Sequence, residues 1–284
     1  MKTAAADAQA PVISSLDSMD VTVQQQFWIV NAVLVETGNG VSQADLQSVS
    51  GVERVYENAE YQQPGPAGDD STGEISVDNN HEYTYGLRQI GVPSFDDTYN
   101  TTGQGTDVAI LDDGVSDPDN LHPDLDFATK AIAENGEVTT GTLGSPDNGH
   151  GEHVAGTAVG SLEPAGDVPR YSVAPGANLH KINVFQGGAF TSDLVAAVQF
   201  SASNGYDVAS MSLGFPALDG LSTIQPPMER AMQNADDLGA MVVGSAGNSG
   251  SGAAGGPVTS PGAEFSGFSI GASNNARDIA AFSS

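Results

Sequence analysis

Apolar residues along this chain fall into short blocks, and from about residue 81 onward two kinds of block alternate. Compact, largely apolar runs predict strands at 107–111, 179–185, 208–213, 240–245 and 267–272. Longer stretches with helical spacing predict helices at 150–162, 192–203 and 227–238. Strands without polar alternation, separated by helices, are typical of a parallel sheet covered on both faces. We therefore predict an α/β fold with a doubly wound, mostly parallel sheet.

The first sixty residues show a different pattern, which predicts a small α+β unit. Helices are expected at 8–16 and 42–48, the second opened by a capping serine, and strands at 27–35 (FWIVNAVLV) and 52–56. A segment rich in Pro, Gly, Asp and Ser follows, with no apolar period, as expected of an exposed, cleavable linker. The predicted domains are thus 1–60, a linker at 61–80, and 81–284.

Charge and cysteine content exclude several classes of function. The 36 Asp and Glu against 8 Lys and Arg give a formal net charge of -28. Such a surface repels nucleic acid and anionic lipid, and it favours a salt-adapted protein, with an acidic secreted protein from a moderate habitat as the alternative. The absence of cysteine excludes disulfides, thiolate zinc sites and a cysteine nucleophile. No apolar run is long enough to span a membrane.

Three short strings carry side chains suited to acyl transfer. Asp112 ends the strand VAILDDG, His150 opens a helix in NGHGEHVAGT, and Asn248 follows the strand VVGSAGN. Histidine suits a general base because its pKa is near 6.5, a buried carboxylate can fix its tautomer, and an amide can donate to an oxyanion. Because the carboxyl ends of parallel strands gather functional groups, we expect these three side chains in one cleft.

These strings, with four more in the same order, resemble the subtilisin-like serine proteases (subtilases). The further segments are LHPDL (121–125), SVAPGANL (172–179), SMSLG (210–214) and SPGAEFSGFSIGAS (260–273), followed by IAAFSS. The resemblance, which runs from about residue 82 to the end, implies a serine endopeptidase acting on polypeptides without an organic cofactor. It also implies an extracellular, monomeric enzyme, and the charge adds the expectation of a halophilic source.

The resemblance assigns a role to each matching residue. Asp112 would orient His150, the general base, and Asn248 would stabilise the oxyanion, while Ser212, Leu213 and Gly214 would bind the substrate backbone as an added strand. Residues 1–60 would form a propeptide, an intramolecular folding helper and inhibitor that lacks its first strand. No Gly-Thr-Ser-like turn with a nucleophilic serine occurs in the sequence. We therefore expect a precursor fragment, incomplete at both ends and without its signal peptide, that is inactive by itself.

Two carboxylates depart from the family pattern near the histidine. Asp113 and Glu152 replace a small neutral residue and a threonine, and both should raise the pKa of His150. Asp113 is expected to be a solvated neighbour, because a buried strand directs only one of two adjacent side chains inward. The spacing of His150 and His153 does not fit a zinc helix, so no metal ligand is assigned. Structural calcium is the plausible ion, with Asp124 as the one candidate ligand.

Two other functions remain open at the level of sequence. A catalytically dead domain of this type could bind peptides along Ser212–Gly214. A nucleotide-binding enzyme of similar topology is the second alternative, although the glycine-rich string at 250–255 is followed by prolines rather than by a helix.

Overall fold

A computed structural model of the protein describes residues 1–63, 82–115, 121–144, 149–215, 225–250 and 257–284. Its helices are α1 (Lys2–Leu16), α2 (Gln43–Gln47), α3 (Tyr85–Gln89), α4 (Val92–Tyr99), α5 (His150–Val159), α6 (Thr191–Asn204) and α7 (Pro226–Asp237). Its strands are β1 (Val21–Phe27), β2 (Ala32–Thr37), β3 (Glu60–Tyr61), β4 (Asp107–Asp112), β5 (Phe127–Glu134), β6 (Glu137–Thr140), β7 (Asn178–Asn183), β8 (Ala189–Phe190), β9 (Val208–Met211), β10 (Met241–Ser245) and β11 (Phe268–Ile270).

A seven-stranded sheet in the order β11-β10-β9-β4-β7-β5-β6 forms the centre of the molecule. All neighbouring strands in it are parallel except the β5–β6 pair at one edge. Successive side chains of β4 enter different cores: Leu111 packs with residues of α6 and α7, whereas Ile110 packs with Ala155 and Val159 of α5. Both faces of the sheet are therefore covered, which confirms the predicted α/β fold with its mostly parallel sheet.

The β5–β6 hairpin was not predicted from the sequence. Asn135 and Gly136 connect its strands with φ values of 54° and 75°. Two central residues with positive φ define the tight hairpin turn that Asn-Gly sequences favour. This dipeptide was therefore a local signal for the hairpin.

The N-terminal unit contains α1, the β1–β2 hairpin and α2 around a small core of its own, formed by Val12, Leu16 and Leu46. The single strand predicted at 27–35 is wrong, because β1 ends at Phe27 and β2 begins at Ala32. Asn31, with φ of 50°, lies in the turn between them. The middle of the apolar run is thus a turn, and it is apolar because it packs on the sheet region.

The strand predicted at 52–56 is also absent from the described N-terminal residues 1–63. Side-chain amides hold this segment instead: Gln43 donates to the carbonyl of Val55 and Gln47 to that of Glu53. Val52 and Val55 pack against the N-terminal core. The alternation of apolar residues therefore reflects partial burial without a strand partner.

Within the described residues, none of the helices has the length and apolar character required to cross a membrane.

Candidate active site

The carboxylate of Asp112 and the imidazole of His150 form the centre of the candidate site. Asp112 is the last residue of β4 and is completely buried, while His150 is the first residue of α5. His150 Nδ1 lies 2.7 Å from Asp112 Oδ1, which also accepts the backbone N–H of Asp113 at 2.9 Å. The sequence prediction that these two side chains meet is confirmed.

The hydrogen bond defines the chemistry of the ring. Because a carboxylate only accepts, His150 Nδ1 must donate, and Nε2 is then the basic nitrogen of the neutral imidazole. The hydrogen bond with Asp112 raises the pKa of His150, with further increases from the charges of Asp112 and Asp113. Partial burial and the cation of Lys181 lower that pKa in opposition. The expected contribution of Glu152 stays a prediction.

Asp113 is buried rather than solvated, so its expected exposure is wrong. Its exposed fraction is 2%, and its Oδ1 accepts the N–H of Gly151 at 2.6 Å, at the start of α5. A carboxylate at a helix N-terminus is stabilised by the free N–H groups there. A Cβ atom on Gly151 would lie 2.4 Å from Asp113 Oδ1 and 2.7 Å from Lys181 Nζ. This close approach, invisible in the sequence, leaves room for the carboxylate of Asp113 at the start of α5.

The segment predicted to bind substrate, Ser212–Gly214, directly follows β9, the third strand of the sheet counted from the edge strand β11. Leu213 is completely buried, while Ser212 and Gly214 are half-buried. The backbone of Gly214 is engaged by the chain itself: its N–H donates to Gln62 O at 2.9 Å, and its carbonyl accepts from Gln62 N at 2.8 Å. This pair of bonds is the pattern of an antiparallel β-bridge.

The bridged residue Gln62 continues a short strand that the sequence did not predict. β3 pairs antiparallel with β8, with Tyr61 opposite Ala189. The chain at 60–62 therefore lies between β8 and Gly214 and makes main-chain hydrogen bonds on both sides. The next residue, Gln63, donates its side-chain amide to Asp113 Oδ2 at 2.7 Å. An N-terminal segment thus reaches the candidate site itself.

Asn248 lies three residues beyond the carboxyl end of β10 and is exposed. It follows Gly247, whose φ of 107° is accessible mainly to glycine. Since β10 and β4 are parallel members of one sheet, Asp112 at the end of β4 and Asn248 beyond the end of β10 lie on the side of the sheet where the strands end. The direction of the Asn248 amide toward the histidine stays a prediction.

The candidate calcium ligand Asp124 is occupied by protein donors. Its Oδ1 accepts the N–H of Ala165 at 2.8 Å, and its Oδ2 accepts the hydroxyl of Tyr171. Among the residues that the structure describes, no cluster of three or more His, Asp or Glu side chains suits a metal ion. Calcium binding therefore stays an expectation without an identified site.

Comparison with known proteins identifies the family. The model of the Subtilase family matches residues 103–284. The chain belongs to this family. Subtilisin Savinase of Lederbergia lenta is 31% identical over 201 residues, which are 70% of this chain and 66% of that protein. Subtilisin E of Bacillus subtilis (strain 168) is 32% identical over 210 residues, 72% of this chain and 51% of that protein.

A solved structure shows that the likeness extends to the fold of nearly the whole chain. Fervidolysin from Fervidobacterium pennivorans, described as a keratinolytic enzyme related to subtilisin, is similar with a TM-score of 0.67 and 20% identity. The similarity covers 97% of this chain and 44% of fervidolysin. The chain therefore spans only about half to two thirds of the relatives that it matches.

Proposed function

We propose that this chain carries the acid–base half of a serine endopeptidase that hydrolyses polypeptides through an Asp-His-Ser triad. The observation that carries the proposal is the 2.7 Å contact between buried Asp112 and His150 in a chain of the subtilase family. His150 Nε2 would take the proton of the nucleophilic hydroxyl and return it to the leaving amine, while Asp112 holds the tautomer and stabilises the cation. Asn248 would donate to the developing oxyanion.

The nucleophile is assigned to no residue of this chain. The sequence contains no Gly-Thr-Ser-like turn, and without a nucleophilic serine there is no covalent route to an acyl-enzyme, so we expect the chain alone to be inactive. The proposal therefore predicts that catalysis appears when a segment carrying the serine is supplied.

A chimera tests this prediction. Residues 1–284 would be joined to the part of Subtilisin Savinase that lies beyond its matched residues, where we expect the nucleophilic serine, and hydrolysis of a chromogenic peptide would be measured. We expect turnover by the chimera and none by residues 1–284 alone. In subtilisin itself, removing the catalytic histidine lowers kcat by about 10⁶-fold. The His150→Ala chimera should lose activity on that scale, and a folded chimera that is as active with this change as without it would refute the assignment.

The N-terminal region is proposed to be the propeptide, residues 1–60, followed by the processing linker at 61–80. Support comes from the pairing of β3 and Gln62 with β8 and Gly214, which occupies the proposed peptide-binding strand with the chain's own backbone. Because Gln63 contacts Asp113 beside His150, we place the maturation cut within the first few residues after Gln63. N-terminal sequencing of the mature chimera tests this position, and a cut near residue 80 would contradict it.

A catalytically dead peptide-binding module is the second candidate. The same pairing favours it, because Gly214 binds an extended segment through backbone hydrogen bonds alone, which require no nucleophile. An inactive but folded chimera that still binds peptides would support this candidate over the enzyme.

The remaining proposals concern the surroundings of the protein. A net charge of -28 suits a salt-adapted protein that binds neither nucleic acid nor anionic membranes. Membership of the subtilase family supports an extracellular monomer that acts on polypeptides. Because molar salt shortens the screening length to about 3 Å, the free energy of unfolding should rise between dilute buffer and molar potassium chloride. Denaturant melts at both salt concentrations measure this change. Equal stability at the two salt concentrations would disprove salt adaptation. A structural calcium ion is tested separately, by measuring the melting temperature as calcium is added.

A further inference from the structure

Tyr61 is the most deeply buried side chain of the segment that occupies the peptide-binding strand. Its exposed fraction is 1%, whereas its neighbours Glu60 and Gln62 are exposed. Side chains of an extended segment alternate between its two faces, so only one in two enters the protein. In peptides bound by strand addition, the main chain gives affinity and the pocket for the inward side chain gives specificity. The pocket around Tyr61 is thus the place to find specificity.

The wall of this pocket is aromatic and its floor is polar. The ring of Phe215 meets that of Tyr61 edge-on, with ring centres 5.6 Å apart. At the far end, the hydroxyl of Tyr61 lies 2.9 Å from Ser260 Oγ. Ser260 is completely buried, and its backbone carbonyl accepts the N–H of Phe215 at 2.8 Å, which connects the floor to the wall.

A carboxyl group fixes the direction of the hydrogen bonds. Ser260 Oγ donates to Glu264 Oε1, which also accepts the N–H of Gln225 at 2.8 Å. Glu264 is only 4% exposed. Since Oε1 accepts both bonds, the single hydroxyl proton of Ser260 points at Glu264, and its oxygen is left to accept. A ligand side chain that reaches Ser260 must therefore be a donor.

We propose that Ser260, oriented by Glu264, makes this pocket selective for tyrosine in bound peptides, at the residue immediately before the one that pairs with Gly214. The inference rests on the proposed function, in which the Gly214 strand binds polypeptide substrates. Phenylalanine fills the same volume but leaves the buried oxygen of Ser260 without its donor, and leucine loses the ring contact as well. A site built to bond a substrate hydroxyl rejects the analogue that lacks it.

The full chain tests this proposal without any catalysis, because Tyr61 is already in the pocket. The backbone N–H of Gln62 donates to the carbonyl of Gly214, and that of Gly214 to the carbonyl of Gln62. Hydrogen exchange at these two amides therefore reports how often residues 60–62 dissociate from Gly214. For Tyr61→Phe we expect opening to increase on the order of tenfold, the usual value of one net hydrogen bond. In a Ser260→Ala background the same change should have an effect below about twofold. A Tyr61→Phe effect that is absent, or equal in both backgrounds, would overturn the proposal.

Tyr206→Phe is the matched control. Tyr206 is also buried, and its hydroxyl lies 3.0 Å from that of Thr129 in β5 rather than from a residue of the Tyr61 pocket. Its substitution should leave exchange at Gln62 and Gly214 unchanged. A similar increase there would show that hydroxyl loss acts through general destabilisation and would count against the pocket.

The chimera separates this proposal from the proposed function. Two peptides that differ only as Tyr or Phe at the selected position should differ about tenfold in kcat/KM, and the ratio should approach one in Ser260→Ala. An inactive chimera together with coupled exchange in the full chain would refute the protease and keep the pocket. An active chimera that cleaves both peptides equally would refute the pocket and keep the protease.

Discussion

The N-terminal unit and the sheet region obtain their stability in different ways. The sheet region buries apolar side chains on both faces of its strands, whereas the N-terminal unit has a small core formed by Val12, Leu16 and Leu46. A unit of about 60 residues buries a small share of its surface and is only marginally stable alone. The turn at 28–31 compensates, because Ile29 and Val30 are buried in the main core rather than in that of the unit.

Polar contacts fix the same turn on the sheet region. The N–H of Ile29 donates to Gln199 of α6 at 3.1 Å, and its carbonyl accepts from Asn234 of α7. The N-terminal unit is therefore attached at two places, by its turn to these helices and by β3 to the proposed active site. This comparison indicates a unit whose structure depends on its attachment to the sheet region.

The largest expected effect comes from Ile29→Ala. Truncation of a completely buried isoleucine costs about 2 to 5 kcal/mol. Here the lost contacts are those that hold the N-terminal unit on the sheet region. We expect both faster hydrogen exchange at Gln62 and a lower free energy of unfolding. Leu46→Ala is the control within the small core, and it should open the N-terminal unit with a smaller cost to the sheet region. If Leu46→Ala destabilised the sheet region more than Ile29→Ala, the comparison would be wrong.

Gly151→Ala should have the next largest effect, and it acts on the sheet region alone. The added methyl group would collide with Asp113 Oδ1 and Lys181 Nζ, and overpacking of this kind costs about 1 to 3 kcal/mol. Gly156→Ala in the same helix has its nearest contact at 3.4 Å, so it should be neutral or slightly stabilising. Thermal melts of both variants check the difference. Equal melting temperatures would show that Gly151 is not required.

The last expected effect is the pH dependence of stability that Glu264 contributes beneath the contact between the two regions. Burial is the main cause that raises the pKa of Glu264 to about 7. An acid whose pKa is raised by folding binds its proton more tightly in the folded state, so its stabilising effect is lost as pH rises from about 4.5 to 7. Glu264→Gln should flatten this part of the pH–stability curve, which denaturant melts at a series of pH values would measure. An unchanged slope in Glu264→Gln would contradict the burial argument.

The sheet and the Asp112–His150 pair could be predicted from sequence because their signals are local. Strands such as β4 and β10 lie in largely apolar runs, and a carboxylate at a strand end with a histidine at a helix start suffices to place both groups at one edge. The β5–β6 hairpin had an equally local signal in Asn135-Gly136, which was overlooked.

The errors arose where distant residues decide the structure. Asp113 is buried because Gly151 leaves room for its carboxylate beside the N-terminus of α5, and no rule of alternation along β4 contains that fact. The run at 27–35 was interpreted as one strand because it is almost entirely apolar. Its middle residues are apolar for another reason, which is that they pack in the main core. The Tyr61 pocket combines residues 61, 215 and 260, and the sequence gives no sign that they meet.

Titration of the His150 imidazole by NMR in the full chain tests the central claim most directly. If Nδ1 donates to Asp112, the pKa of His150 lies above the ordinary 6.5, and the stability that this bond adds is present at low pH and lost as pH rises through that raised value. The pKa should fall strongly in Asp112→Asn and less in Asp113→Asn. A pKa at the ordinary value that Asp112→Asn does not change would contradict the account.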